Sequence, residues 1–242
     1  LRNKVKCLHF TKTNLRYLLC LVKFIFDEKS QRILNLFRHQ LQISGSWCPC
    51  YCILILFRLV LQSDMPHMTI DLSEIKKGLP GLSPVAGAGL YENCIVCLSR
   101  HEHSYSGTDI EITGDNKITA VIKWEDIYNE QLDRTYTEQT SATNFGAVCI
   151  AILLALKLTD YTIVRQAVLG TGIDYWLSRK DDILFQNAAR LEISGIFNNK
   201  TQIDSRFNVK VKQTTQSDGT SLPAYVGIVE FSTPVAKFGI RK

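Results

Sequence analysis

The chain has 242 residues, enough for one or two domains, with 28 Lys and Arg against 23 Asp and Glu and a net charge of +5. That charge is unevenly spread: residues 1–64 hold ten basic and three acidic residues, and the remainder holds 18 basic and 20 acidic ones. The larger part therefore carries no general electrostatic footprint for nucleic acid, and any such surface has to be local. Five of the eight cysteines also fall before residue 64, leaving Cys94, Cys97 and Cys149. So few thiols, one of them inside an apolar helix, point to a reduced, cytoplasmic protein.

Residues 1–64 mix Leu, Phe, Cys, Lys and Arg with little period. The first methionines are Met65 and Met68, at the opening of MTIDLSEIKKGLPG, which reads like the start of a bacterial protein. The expectation is that 1–64 is upstream read-through, or at least no part of the globular domain, leaving a single α/β domain at 65–242. The rival is a membrane segment. Ile53–Leu61 is short and contains Arg58, Leu15–Phe26 contains Arg16 and Lys23, and neither reaches roughly 18 uninterrupted apolar residues. No membrane span is expected. Cys48, Cys50 and Cys52 lack the two-residue gap of zinc ligand pairs.

From Met65 the elements come in a readable order. Asp71-Leu-Ser-Glu-Ile opens a short amphipathic turn or helix, broken by Gly78-Leu-Pro-Gly-Leu-Ser-Pro84. Val85–Leu98 reads as a buried helix, its start weakened by Gly87 and Gly89. Cys94, Cys97, His101 and His103 invite a zinc reading. Yet the two cysteines share a helical face where small apolar residues fit, and the gap to the histidines is far shorter than in structural zinc sites, so no zinc is expected. Thr108–Thr113 and Ile118–Trp124 alternate around Gly114-Asp-Asn-Lys117, a hairpin signal. Asp126–Glu138 is a helix or a long loop. Thr140 or Ser141 then caps a helix to about Leu158, apolar almost all round and so buried on most sides.

Three strands follow: Thr162–Val168, Ile173–Ser178 and Arg190–Phe197, with Gly170-Thr-Gly172 turning tightly between the first two. Asp204 to about Gln213 is an amphipathic helix. Ala224–Ser232 is apolar on both faces, as a central strand would be. The order from residue 139 is helix, strand, strand, strand, helix, strand. The fold class is α/β, a mixed central sheet with flanking helices, preceded by an N-terminal helix and hairpin at 65–138.

Two acids stand inside otherwise apolar strands, Asp174 and Glu192. Burying a lone carboxylate is costly, so each needs a partner or a purpose. In the plain structural reading one faces solvent and the other pairs with Arg190, Arg165 or Arg206. By strand alternation Arg190, Glu192 and Ser194 share one face, and Gly172, Asp174 and Trp176 share another. Adjacent strands would bring the acids together. Trp176, Tyr175 and Phe185 are expected in the core or an interface, since their spacing shows no stacking platform.

The element order over about 138–232, with Gly172-Ile-Asp174 and Glu192-Ile-Ser194, resembles the restriction-endonuclease-like, PD-(D/E)XK, superfamily. The chain is also similar to uncharacterised bacterial proteins with a GTGxDYWL and RLExSGI pattern, a likeness that brings no activity with it. The superfamily resemblance implies nucleic-acid cleavage by paired acids and a lysine. There are departures. Ser194 stands where that family has its Lys, and the helix after Glu138 contains no acid. They imply a degenerate nuclease fold acting by protein interaction; the alternative is a Mg²⁺-dependent nuclease working through Asp174 and Glu192. Two carboxylates repel unless a cation lies between them, and hard oxygen ligands suit Mg²⁺. The helix after the third strand offers a substitute lysine. Ile203, Phe207 and Val211 form its buried stripe; Arg206, Lys210 and Gln213 run along its edge, and Lys212 points nearly opposite. Lys210 is the residue expected to complete the site, with Arg206 and Gln213 facing substrate.

Overall fold

The computed structural model describes residues 68–115 and 117–241. Segment 1–64, with Cys48, Cys50 and Cys52, lies outside the described residues. The architecture is mixed α/β: one eight-stranded mixed sheet with helices on both faces.

Strand β1 (Met68–Asp71) runs into a 3-10 turn at Leu72–Lys77. Asp71 caps that turn by accepting from Ser73 N at 2.9 Å. Helix α1 (Pro84–Arg100) starts where Ser83 caps and Pro84 pre-sets the first turn. Strands β2 (Thr108–Gly114) and β3 (Ile118–Lys123) form the expected antiparallel hairpin. The polar stretch after them holds a short helix, α2 (Glu130–Thr135).

Helix α3 (Gln139–Leu158) is capped by Glu138, not by Thr140 or Ser141. The Glu138 carboxylate accepts from both of those amides, and these bonds hold it down near about 2. Strands β4 (Tyr161–Gln166), β5 (Tyr175–Arg179) and β6 (Ala189–Ile196) form an antiparallel meander. Helix α4 (Ile203–Gln213) crosses over to β7 (Ala224–Glu230), which pairs parallel to β6. The chain ends on β8 (Val235–Ile240), antiparallel to β7 and parallel to β2. The sheet order is β1-β3-β2-β8-β7-β6-β5-β4, so the hairpin extends the same sheet instead of packing apart from it.

The two faces differ. On one, α3 is buried from Gly146 through Ala155 between α1 and the sheet. It is the one described helix long and apolar enough to cross a membrane, and here its apolar surface meets other parts of the protein. The contact is close enough to require glycine at position 195: a Cβ there would lie 2.3 Å from the Thr143 carbonyl oxygen. On the other face α4 seals a smaller cluster of Ile196, Ile203, Val226, Ile228 and Val235, with Phe207 and Val211 against it.

Cys94 and Cys97 are fully buried on α1, and burial raises the Cys94 thiol well above its ordinary value and pushes that of Cys97 up to about 12. His101 and His103 place their Nε2 atoms 2.9 Å from the Phe197 carbonyl oxygen and 2.8 Å from that of Phe231. Both thiols pack within the apolar core.

Candidate functional site

The site is built where β5, β6 and α4 meet. Gly172 sets the entry to β5. Its φ is +72°, and a Cβ would stand 2.3 Å from the Gln213 carbonyl oxygen. Only glycine lets the β4–β5 loop lie so close to the end of α4. Gly172→Ala is expected to destabilise the protein by about 2 kcal/mol through backbone strain and to loosen the α4 terminus. Urea unfolding checks the first effect. A wild-type midpoint would show that the loop and α4 do not touch.

Two residues later Asp174 continues the β5 ladder. Its N–H donates to the Leu191 carbonyl oxygen at 2.9 Å, and its Oδ2 accepts from Ile193 N at 2.7 Å. The register pairs Tyr175 with Leu191 and Trp176 with Arg190, which sets Asp174 beside Glu192. The expected convergence of the two acids is present.

Glu192 is 1% exposed at the centre of a strand buried along its whole length. Lys210 Nζ donates to its Oε1 at 2.6 Å, and Gln213 Nε2 donates to the same oxygen at 2.9 Å. Lys210 also donates to Gln213 Oε1 at 3.1 Å, which closes a three-residue ring of bonds. Both partners sit on α4, three residues apart, on the helix edge beside the buried stripe. The other Glu192 oxygen, Oε2, is buried and accepts from no N–H or hydroxyl donor; Asp174 is within hydrogen-bond reach of Glu192, so a proton on either raised carboxyl is shared between them.

The electrostatics follow from this. Burial and the neighbouring Asp174 charge push the Glu192 carboxyl up to about 7, against the opposing pull of Lys210. Burial also raises Asp174, opposed by the Ile193 amide and Lys210. A carboxyl raised in the folded state costs stability once it ionises. Wild-type stability is therefore expected to fall as pH rises from about 4.5 through about 7. Glu192→Gln should flatten that slope, with chemical-denaturation midpoints across the window as the measurement. Glu138, Asp182 and Asp218 are lowered and act in the opposite direction at more acidic pH. A slope that persists in Glu192→Gln would assign it elsewhere.

The arginines proposed as structural partners go elsewhere. Arg190, 2% exposed, ties β6 to the loop after α4 through Ser217 Oγ, Asp218 Oδ1 and the Leu222 carbonyl oxygen. Arg206 Nη1 donates to Ser194 Oγ at 3.3 Å. Arg165 lies over the Trp176 ring, 5.8 Å from its centroid. None of the three donates to either acid. Tyr175 is buried, as expected, whereas Phe185 is exposed and Trp176 packs against neither apolar cluster. The signal for Trp176 was its even spacing from Asp174, which puts it on the site's face of β5.

Glu230 was not anticipated. Fully buried, it accepts from the amides of Asn199, Ser232 and Thr233, and so holds the β7–β8 turn.

The chain matches no family model, no curated protein and no solved structure. Among the described residues no group of three or more His, Cys, Asp or Glu gathers in one place. Asp174 and Glu192 therefore stand as a pair of carboxylates with no third such ligand gathered beside them among the described residues. An unpartnered buried Glu192 Oε2 beside a second acid fits a hard divalent cation such as Mg²⁺, which routinely completes its shell with water and phosphate oxygens.

Proposed function

We propose that this chain is a metal-dependent phosphodiesterase of the restriction-endonuclease-like class, acting on nucleic acid. The observation that carries the reading is the Lys210–Glu192 contact at 2.6 Å beside Asp174. It supplies two acids and a lysine in one place, with the lysine coming from α4 and not from position 194. The order helix, strand, strand, strand, helix, strand over α3 to β7 agrees with that class.

In this mechanism Asp174 and Glu192 would hold the cation. When bound, the ion lowers the pKa of a water and offsets charge on the phosphoryl oxygens. Lys210 opposes the burial that raises Glu192, and its ammonium would offset charge on a phosphoryl group bound at the two acids. Gln213 fixes the carboxylate orientation by its bond to Oε1. The Ile193 amide fixes Asp174 through Oδ2. Arg206, anchored on Ser194, adds positive charge at the rim for the substrate backbone.

Ser194 and the absence of an acid in α3 favour a second reading, a catalytically silent module that binds a protein partner. One assay separates them. The full chain with Mg²⁺ or Mn²⁺ is expected to cleave labelled oligonucleotides, and Lys210→Met is expected to lower the rate by about 100-fold or more, as for loss of one preorganised charge at a reacting centre. Cleavage absent from wild type under both metals, in a folded protein, would leave the silent module.

A further inference from the structure

The proposed phosphodiesterase site leaves one conspicuous residue unused. Trp176 stands on the same face of β5 as Asp174, two residues along the strand, hence about 7 Å away. It pairs directly with Arg190 of β6 and with Arg165 of β4. A tryptophan in a sheet normally buries its large ring in the core. Trp124 does so, at 7% exposed, while Trp176 is only partly buried and belongs to neither apolar cluster. The α4 helix packs on β6, β7 and β8, and Trp176 lies on β5, the strand beyond β6.

Above the ring is a cation. The Arg165 guanidinium is 5.8 Å from the indole centroid, and Arg165 is exposed. Among the described residues no carboxylate pairs with it. An indole under a free guanidinium is a surface on which a flat heteroaromatic ring stacks, with the charge directed at an adjacent phosphate. Paired bases inside a duplex present no such face.

We propose that Trp176 and Arg165 form a stacking subsite for an unpaired nucleobase next to the phosphodiester held at Asp174 and Glu192, so that the preferred substrate is single-stranded nucleic acid. This rests on the phosphodiesterase reading for the position of the phosphate, but the stacking itself needs no metal. A base stacks on the indole and guanidinium planes, and the Arg165 charge meets the phosphate on its outer side. Stacking tolerates any base, since each has a π-face, so the subsite selects strandedness and not sequence.

The test is binding of the full chain to a fluorescein-labelled dT12 strand in EDTA, against the same strand annealed to dA12. Cleavage of both in Mg²⁺ is measured alongside. The single strand is expected to bind about tenfold or more tighter than the duplex. Trp176→Ala should weaken that binding by about tenfold, the scale of one base stacked on an aromatic ring. Trp176→Phe should retain most of it, and Arg165→Ala should weaken it several-fold, all with unchanged thermal unfolding. Single-strand binding that depends on Trp176 without any cleavage supports the subsite and overturns the phosphodiesterase reading. Cleavage lost in Glu192→Gln but unchanged in Trp176→Ala, with equal affinity for strand and duplex, overturns the subsite and leaves that reading standing. No binding of either substrate in EDTA overturns the subsite, and absence of cleavage in Mg²⁺ as well overturns the phosphodiesterase reading.

Discussion

Leu154→Asp is expected to unfold the protein. Leu154 is completely buried in α3, and its helical neighbours Ile150, Ala151 and Ala155 are buried with it. The helix lies between α1 and the strands β4, β6, β7 and β8, so a carboxylate at this point has no route to water. An unpaired charge there costs several kcal/mol before the loss of apolar contacts is counted. Domains of this size are stable by only about 5–15 kcal/mol. Far-ultraviolet circular dichroism on heating should show no cooperative transition in Leu154→Asp. Leu154→Met, which conserves volume and polarity, should lose less than about 1.5 kcal/mol. A wild-type transition in the Asp variant would mean that α3 presents Leu154 to something other than the sheet.

The elements that could be read from residues were those with a single strong period. The all-apolar run in α3, the alternation of β2 and β3, and the stripe of Ile203, Phe207 and Val211 each admit one packing. The same stripe placed Lys210 and Gln213 on the helix edge, and strand alternation placed Glu192 under them; both relations hold in the structure. Strands β1 and β8 did not stand out. The first is four residues long and runs straight into a helical signal, and the second carries Lys237 and Gly239 in an otherwise apolar run. Their place is decided by long-range pairing, β1 on β3 and β8 on both β7 and β2, which local pattern does not encode. The α3 cap lies two or three residues before the expected one because Glu is an uncommon cap and Thr and Ser, as at 140 and 141, are common ones. The fates of the arginines were also hidden. Arg190 shares a face with Glu192, yet a loop 24 to 32 residues further on takes all its bonds.

The acid pair itself gives the largest functional effect. Asp174→Asn is expected to abolish metal-dependent cleavage and the metal's effect on stability while leaving the fold intact. Asn keeps a side-chain oxygen to accept from Ile193 N, so the 2.7 Å contact survives. No cation is stranded by the change, because Lys210 pairs with Glu192 and the nearby arginines donate to neither acid. The substitution removes the like charge that raises Glu192, so melting in EDTA should be unchanged or higher. With Mn²⁺ at about 100 times its Kd, a ligand bound only to the folded state contributes about 2.7 kcal/mol. For a domain of this size that is a rise of several degrees in Tm. Wild type should show this rise and Asp174→Asn should not, since one carboxylate cannot replace two hard ligands. Differential scanning fluorimetry of both proteins, with and without Mn²⁺, reads all four values. A lower Tm for Asp174→Asn in EDTA, with no metal response in wild type, would make the carboxylate a structural anchor for the Ile193 amide and remove the basis for a metal site.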